Sequence, residues 1–480
     1  QAVQGQSATF QGEKAVGNNQ TISYKMGGNY TMKTTFDYVP EMLQSELYLT
    51  FDAAIGKKKF DVPAVKVADG VLATSQLVYR TVASANTCVA ADAYQQIIAQ
   101  HQDAQIKYLI NQSKVRTSEL STTSIQDFVK VLRDIKADQK SFALDNIEVS
   151  AYASPDGALS FNEKVASGRQ ETASQYVNKQ LKNIELDGTV DTKYTAEDWD
   201  GFQEIVAASN IQDKEVILRV LNMYKDPEER ETQIRNMSVA FRELADEVLP
   251  ELRRARLTIN YKLIGRTDAE IQQQFKEDPT KLSVEELLYG ATLTKDTNEQ
   301  KKYFEAAAKQ YPNDYRAYNG LAQVAYAQGD LAAAKSALQK AGDKTEANAN
   351  AALIAIAEGN LDQAEALLGK ALTAANYNEV LGNLQIARGN WSQAAQALKG
   401  VNSNSAALAQ ILTKDYAAAK RTLDAVAAPD AMTAYLQAVA AARIGDTAAA
   451  KSALKTAVQK DASLADYAAK DLELILAGVK

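Results

Sequence analysis

Residues 147–177, IEVSAYASPDGALSFNEKVASGRQETASQYV, have the pattern of a strand, a tight turn and a helix. Apolar and polar residues alternate from Ile147 to Ala151, as they do in a strand with one buried face. Ser154-Pro-Asp-Gly157 supplies the proline and glycine that tight turns favour. Ser160 and Glu163 have the spacing of a capping box, which predicts that a helix begins there.

The predicted helix carries one arginine beside an apolar stripe. The stripe consists of Phe161, Val165, Thr172 and Tyr176. Arg169 lies at its edge, and a buried guanidinium needs a partner because an unpaired charge is costly to bury. We therefore expect Arg169 to point toward the Ser154–Gly157 turn, where an anion could bind.

The same segment resembles the outer-membrane protein A-like (OmpA-like) domain, which binds peptidoglycan. That family has a strand, a Thr-Asp-x-x-Gly turn and a helix with Asn-x-x-Leu-Ser-x-x-Arg-Ala. Gly157, Asn162 and Arg169 have the matching spacings, whereas Ser154 occupies the position of the family's Asp. The resemblance implies a site for the diaminopimelate of cell-wall peptides, formed by Ser154, Asp156, Gly157, Asn162 and Arg169.

Length and composition indicate several globular domains and few kinds of chemistry. A chain of 480 residues exceeds the size of a single core, so two to four domains are expected. The net charge of −7 argues against a nucleic-acid partner. His101 is the only histidine and Cys88 the only cysteine, which excludes histidine-based triads and an internal disulfide. We predict no catalytic residues, no cofactor and no metal site.

The N-terminal residues 1–85 are predicted to form an all-β, sandwich-like domain. Short segments rich in Thr, Tyr, Val and Phe alternate with glycine- and asparagine-containing turns, at the spacing of a small sandwich or barrel. An exposed edge strand could dock onto a partner's sheet. An Ala- and Gln-rich connector follows, with a helix predicted at Ala91–His101.

Residues 86–266 are predicted to form the OmpA-like βαβ domain, with a helical insertion at 187–250. Its first strand is predicted at Ile106–Ile110, a helix at Ile125–Lys136 and its last strand at Leu257–Leu263, with alternate residues on one face. The motifs EDWDGF at 197–202 and PELRRAR at 250–256, together with the turn, resemble OmpA-related proteins of Bacteroidetes.

Residues 267–480 contain a repeated Ala-rich pattern. The stretches GDLAAAKSAL, GNLDQAEALL and GNWSQAAQAL begin at residues 329, 359 and 389. They resemble tetratricopeptide repeats, whose period is about 34 residues. One helix pair cannot bury both of its faces, so successive pairs stack into a solenoid with a concave surface. We expect a partner-binding groove lined by Arg316, Asn319, Gln323, Tyr326, Glu346, Leu353, Asn376, Glu379 and Asn383.

The sequence thus predicts a multi-domain α+β protein that acts as a non-enzymatic cell-envelope scaffold. It would bind outer-membrane or periplasmic proteins through its repeats, within a larger assembly, secretion or fimbrial machine. The alternative is a peptidoglycan-binding anchor that tethers the outer membrane to the cell wall. A hydrolase that uses carboxylates such as Asp198 and Asp200 is the enzymatic alternative. Because the chain starts at Gln1 without Met, we expect a removed signal segment and a periplasmic location at the outer membrane. A lipid anchor ahead of Gln1 is compatible with this expectation, and the sequence does not decide whether one is present.

Overall fold

A computed structural model describes residues 5–36, 38–39, 41–42, 45–211, 213–236 and 242–479. The chain forms two compact units. One unit is the central stretch Ala93–Leu293, and the other joins Gln1–Asp92 to Thr294–Lys480. The boundaries predicted from the sequence lie at 85/86 and 266/267. In the structure, residues 86–92 group with the C-terminal region and residues 267–293 group with the central stretch.

The N-terminal residues form short two-stranded sheets. Strands β1 (Phe10–Gly12) and β2 (Gln20–Ile22) pair in parallel. The next four strands are β3 (Glu46–Leu49), β4 (Ala53–Ile55), β5 (Lys58–Phe60) and β6 (Val65–Asp69). Strand β3 pairs with β6 and strand β4 pairs with β5, and both pairs are antiparallel.

The predicted β-sandwich for residues 1–85 is therefore wrong for the described residues. The two-stranded sheets do not face one another across a common core, and no described residue before Ala73 is buried. From Ala73 onward the chain contains buried residues and helical turns. It forms a 3₁₀ turn, one helical turn and a second 3₁₀ turn at Thr74–Leu77, Val78–Thr81 and Val82–Ser84.

The central unit contains a four-stranded sheet with the strand order β7-β10-β8-β9. The strands are β7 (Ile97–Lys107), β8 (Phe142–Tyr152), β9 (Val190–Thr195) and β10 (Arg254–Ile264). Strand β10 is antiparallel to both β7 and β8, while β9 is parallel to β8. Parallel neighbours need a crossover, which the helix Leu159–Ile184 provides between β8 and β9.

The predicted strand, turn and helix are present, and they form the core of this unit. Ile147 and Val149 on β8 pair with Ile259 and Leu257 on β10, and all four side chains are buried. They pack against the helices Thr123–Ala137 and Leu159–Ile184.

Several local predictions in this unit are wrong. The predicted helix at Ala91–His101 overlaps strand β7, so the first strand begins well before Ile106. The helix after the turn has Ala158 as its N-cap without a side-chain cap, so Ser160 and Glu163 form no capping box. Its buried stripe is shifted by one residue, which leaves Phe161 exposed and buries Asn162, Ala166, Arg169, Ala173, Val177 and Leu181.

The insertion at 187–250 is helical, as predicted, apart from strand β9. Its helices are Trp199–Ala208, Lys214–Met223 and Pro227–Asn236, followed by a π-helical turn at Leu244–Val248 and a short helix at Leu249–Leu252. Residues 212 and 237–241 of the predicted insertion lie outside the described residues. Phe202, Val206, Ile217 and Leu221 form a separate small core.

Two helices predicted to belong to the repeats group with the central unit. They are Asp268–Glu277 and Val284–Thr292. Tyr94 stacks on Tyr289 with ring centroids 4.5 Å apart. Arg266 forms an ion pair of 2.8 Å with Glu286. These contacts hold the two helices to the residues around the sheet.

The C-terminal region is the predicted solenoid of helix pairs. Its helices are Thr297–Gln310, Tyr315–Ala327, Leu331–Ala341, Thr345–Ala357, Leu361–Gly369, Tyr377–Ala387, Trp391–Ala397, Asn404–Leu412, Tyr416–Asp424, Ala431–Arg443, Thr447–Lys460, Leu464–Ala468 and Leu472–Leu476. The repeated glycines end the first helix of a pair: Gly329 and Gly359 both have φ of +77°, a left-handed conformation that favours glycine.

Another glycine permits close packing within a helix pair. Replacing Gly382 with alanine should destabilise the solenoid by about 1–3 kcal/mol, because the added Cβ would overlap the buried side chain of Leu398. Thermal unfolding of the full chain measures this loss. Gly369→Ala is the matched control, since a Cβ there meets no atom within 4 Å. Equal effects of the two substitutions would contradict the packing explanation.

Candidate functional site

The concave face of the solenoid is occupied by the chain itself. Residues 73–92, here called the groove segment, contact the first helices of successive pairs. These helices are Tyr315–Ala327, Thr345–Ala357, Tyr377–Ala387 and Asn404–Leu412. First helices of this kind line the inner surface of a repeat solenoid, where extended partners bind.

Two asparagines hold the backbone of the groove segment at Cys88. The Asn350 Oδ1 accepts a hydrogen bond of 2.6 Å from the Cys88 N–H, and its Nδ2 donates one of 2.9 Å to the Cys88 carbonyl. The Asn319 Nδ2 donates to the same carbonyl at 3.0 Å. Its Oδ1 accepts a 3.0 Å bond from Asn350 Nδ2. The side-chain amides thus pair with a peptide group as a neighbouring strand would.

Polar contacts continue along the groove on both sides of Cys88. Asn376 Nδ2 donates to the Asn86 carbonyl at 2.8 Å, and Asn86 Nδ2 donates to Glu379 Oε2 at 2.7 Å. The remaining contacts are Gln323 with Thr87, Tyr326 with the Val82 carbonyl, Asn404 with Ser84 and Arg316 with the Ala91 carbonyl. Three of these six bonds reach backbone carbonyls, as do the bonds at Cys88, so the groove contacts the main chain of the segment as well as its side chains.

The apolar side chains of the groove segment belong to the solenoid's cores. Leu77 and Val78 lie in one buried cluster with Tyr435. Val82 lies in a second cluster with Leu353. The Cys88 side chain packs in a third small cluster, with Ala349, Ala371 and Ala374. Burial of these groups stabilises the bound segment through the hydrophobic effect as well as through hydrogen bonds.

Some of the residues predicted to line a partner-binding groove contact the groove segment, which belongs to the same chain. Six of the nine bond to the groove segment: Arg316, Asn319, Gln323, Tyr326, Asn376 and Glu379. Leu353 is buried beneath the segment's Val82 cluster. Glu346 accepts a bond from Tyr315, and Asn383 bonds to the Glu379 carbonyl and to Ser405.

Two contact residues, Asn350 and Asn404, were missing from the prediction. The signal for Asn350 is its position between alanines in the interior of the helix Thr345–Ala357. Asparagine disfavours helix interiors because its side chain competes for backbone groups. A buried asparagine there therefore indicates a hydrogen-bond partner outside the helix.

Glu379 places a buried carboxylate in the groove. Its burial raises the pKa of the carboxyl group, while the bond from Asn86 opposes the rise. A second carboxylate, that of Glu473, accepts a bond from Thr74 of the groove segment, and the Arg316 guanidinium donates to the Ala91 carbonyl. The groove therefore combines neutral amides with charged side chains of both signs.

Arg169 does not face the turn as predicted. Its guanidinium is buried and donates to three backbone carbonyls: Gln112 at 2.9 Å, Tyr152 at 2.7 Å and Leu109 at 3.2 Å. It also lies over the Tyr108 ring. Burial lowers the pKa of Arg169 to about 10. These contacts give Arg169 a structural role at the end of the sheet.

The turn at Ser154 has a different arginine. Arg253 donates from Nη2 to Asp156 at 3.2 Å, and Ser154 donates to the other oxygen of the same carboxylate at 2.6 Å. Asn162 donates to the Gly157 carbonyl at 2.9 Å and so supports the turn from the helix. The structure therefore brings four of the five predicted peptidoglycan-site residues together in the turn, whereas the Arg169 guanidinium donates to the carbonyls of Leu109, Gln112 and Tyr152.

A shallow depression of about 330 Å³ lies next to Tyr152 and Arg256 in the central unit. Asp198 and Asp200 line it. Asp198 is buried, accepts from the Gly201 N–H and pairs with Arg254 at 3.2 Å, so it serves as a helix cap and ion-pair partner. Burial raises the pKa of Asp198. These structural contacts of Asp198 are evidence against a hydrolase that uses Asp198 and Asp200 as its two carboxylates.

In the part of the chain that the structure describes, no group of three or more His, Cys, Asp or Glu residues has the arrangement of a metal site. No described helix combines the length and the apolar character needed to cross a membrane.

No protein-family model matches this chain, and no curated protein matches its sequence. The chain is similar to a solved tetratricopeptide repeat protein from Parabacteroides merdae, with 15% identity and a TM-score of 0.32, over 40% of this chain and 85% of that one. It is also similar to the APC/C hetero-tetramer Cut9–Hcn1, with 13% identity and a TM-score of 0.31, over 63% of this chain and 71% of that one. Yeast Tom70 is 13% identical with a TM-score of 0.28, over 75% of this chain and 83% of Tom70.

Proposed function

We propose that this protein is a non-enzymatic protein–protein interaction scaffold whose repeat groove binds a polypeptide segment through its main chain. The supporting observation is the clamp of Asn350 on both backbone groups of Cys88. The groove already binds one such segment, its own residues 73–92. A partner that uses the same groove must therefore displace this segment or bind beside it.

The bound segment also gives the scaffold a fixed attachment point. Its buried residues tie the N-terminal sheets to the solenoid, because they contribute to the solenoid's own cores. The N-terminal sheets precede this anchored segment and carry many exposed apolar side chains, among them Leu47, Tyr48 and Val67. Exposed apolar residues in such a cluster are typical of interaction sites.

The groove function is tested by supplying the segment as a separate peptide. In full-length protein, Val82→Asp introduces a charge at a fully buried position and should release the groove segment. A fluorescent peptide of residues 73–92 should then bind this variant at least roughly tenfold more tightly than it binds wild type, whose groove is occupied. A scrambled peptide is the control. If the variant keeps its helical circular dichroism and binds no peptide, the groove is not a peptide-binding site.

We place this scaffold in the periplasm at the outer membrane, as a subunit of an assembly, secretion or fimbrial machine. The support is the resemblance of residues 147–177 to the OmpA-like module and the presence of repeats in the same chain. Fractionation of cells that express the protein tests this location. Recovery in the cytosolic fraction would contradict it.

The peptidoglycan anchor is the second candidate. The observation that favours it is the Ser154–Gly157 turn, where Asp156 is still 19% exposed and paired with Arg253. A carboxylate and a guanidinium in one turn can contact the ammonium and carboxylate of diaminopimelate. Sedimentation of the purified protein with cell-wall sacculi separates the candidates, since a groove scaffold without cell-wall affinity stays in the supernatant.

A further inference from the structure

Strands β3 to β6 form one long antiparallel hairpin with a basic tip. Ile55 pairs with Lys58, and Ala53 pairs with Phe60, across a turn in which Gly56 has φ of +59°. The turn and the strand after it contain Lys57, Lys58 and Lys59, all exposed.

The tip carries a concentrated positive charge in an acidic chain. Residues 53–60 contain three lysines and no acidic residue, and Asp52 and Asp61 lie at the base of this tip, whereas the whole chain has a net charge of −7. Within the described residues, none of these lysines forms an ion pair, in contrast to Lys66 further down the hairpin, which pairs with Glu46 and Asp69. The lysine charges at the tip therefore face solvent.

Large apolar side chains lie beside these lysines. Ile55 is 76% exposed and Phe60 is 41% exposed. Residues opposite each other in an antiparallel pair share a face, as do alternate residues along a strand. Ile55 and Phe60 therefore lie on one face of the hairpin, together with Lys58, whose Nζ is 5.3 Å from the centre of the Phe60 ring.

We propose that this tip binds the surface of an anionic phospholipid membrane. Such a surface offers negative headgroups for Lys57 in the turn and for Lys58, and an apolar layer just beneath for Ile55 and Phe60. Lys59, which pairs with Ala54 on the other face, adds to the positive potential of the tip. Lysines suit this position because their long stems keep the ammonium in the headgroup layer while neighbouring side chains enter the apolar layer. The combination of charge and apolar area within eight residues favours a lipid surface over an acidic protein, which would satisfy the charge alone.

The contact is independent of the groove, since it uses a different part of the chain. Full-length protein should co-sediment with vesicles of phosphatidylcholine containing a third phosphatidylglycerol and much less with pure phosphatidylcholine. The variant Lys57→Gln/Lys58→Gln/Lys59→Gln should bind the anionic vesicles roughly 100-fold more weakly. Ile55→Ser should weaken binding roughly tenfold. Increasing salt should weaken binding of wild type.

A charge-matched variant distinguishes a local site from a general effect of net charge. Lys451→Gln/Lys455→Gln/Lys470→Gln removes the same charge from exposed positions of the solenoid and should bind like wild type. Equal loss in both triple variants would overturn the proposal. Failure of the wild-type protein to bind anionic vesicles would also overturn the proposal. This includes the case in which the tip lysines bind polyglutamate but the protein does not bind vesicles.

Discussion

Replacing Asn350 with leucine should release the groove segment from the solenoid. Leucine has a similar size but offers no partner to the buried Cys88 N–H, which is held at 2.6 Å by Asn350 Oδ1. It also removes the bonds from Asn350 Nδ2 to the Cys88 carbonyl and to Asn319. An unsatisfied buried donor together with lost hydrogen bonds should weaken the attachment by about 3 kcal/mol.

The only cysteine of the chain makes this release measurable. Cys88 is 2% exposed when the segment is bound. Its thiol reacts with a labelling reagent only after local opening, so a loss of about 3 kcal/mol should accelerate labelling roughly 100-fold. Amide hydrogen exchange over residues 82–91 should accelerate in parallel.

A neighbouring asparagine serves as the control for this experiment. Asn348 lies two residues earlier in the same helix and donates to Asp343 at 2.7 Å rather than to the groove segment. Asn348→Ala should therefore leave Cys88 labelling close to the wild-type rate. Slow labelling in Asn350→Leu, or fast labelling in both variants, would show that this clamp does not hold the segment.

Replacing Arg169 with methionine should destabilise the central unit by about 3 kcal/mol. Methionine retains much of the side-chain volume but leaves the carbonyls of Leu109, Gln112 and Tyr152 without their guanidinium donor. Because Arg169 is 1% exposed, water cannot easily replace all three bonds. The expected loss of stability is smaller than it would be at a site that excludes all water, because the loop residues Leu109 and Gln112 are exposed.

Calorimetry of the full-length protein measures this effect. The unfolding transition of the central unit, identified by hydrogen exchange in strand β8, should move down by roughly 6–12 °C. Arg133→Met, at an exposed position of the helix Thr123–Ala137, is the control and should change stability by less than about 0.5 kcal/mol. An unchanged transition for Arg169→Met would show that Arg169 has no structural role.

This result also decides how a cell-wall binding experiment is interpreted. Loss of sacculus binding in an Arg169 variant would follow from a damaged domain as readily as from a lost ligand contact. Asp156 and Arg253 are better positions for such a test, because they form the polar part of the turn and remain partly exposed.

The sequence determined the elements that depend on nearby residues. The repeats were predicted because small residues, glycines with left-handed backbone and closing leucines recur at a nearly constant spacing along the helix pairs. Strand β8, its turn and the following helix were predicted because alternation and turn chemistry are local properties. The groove residues followed from the same regularity, since position within a repeat fixes which face of the solenoid a side chain lies on.

Only the tertiary structure decided what these elements contact. The pairing of Cys88 with Asn350 joins residues 262 positions apart, and no local pattern encodes it. Arg169 has the spacing of a ligand-binding residue, but the loop at 109–112 places carbonyls around it. The N-terminal segments have the composition of strands, yet a sandwich requires two sheets that face each other, and the described sheets do not. Composition and period determine local conformation, whereas the partner of a buried hydrogen-bonding group depends on which distant segments the fold brings together.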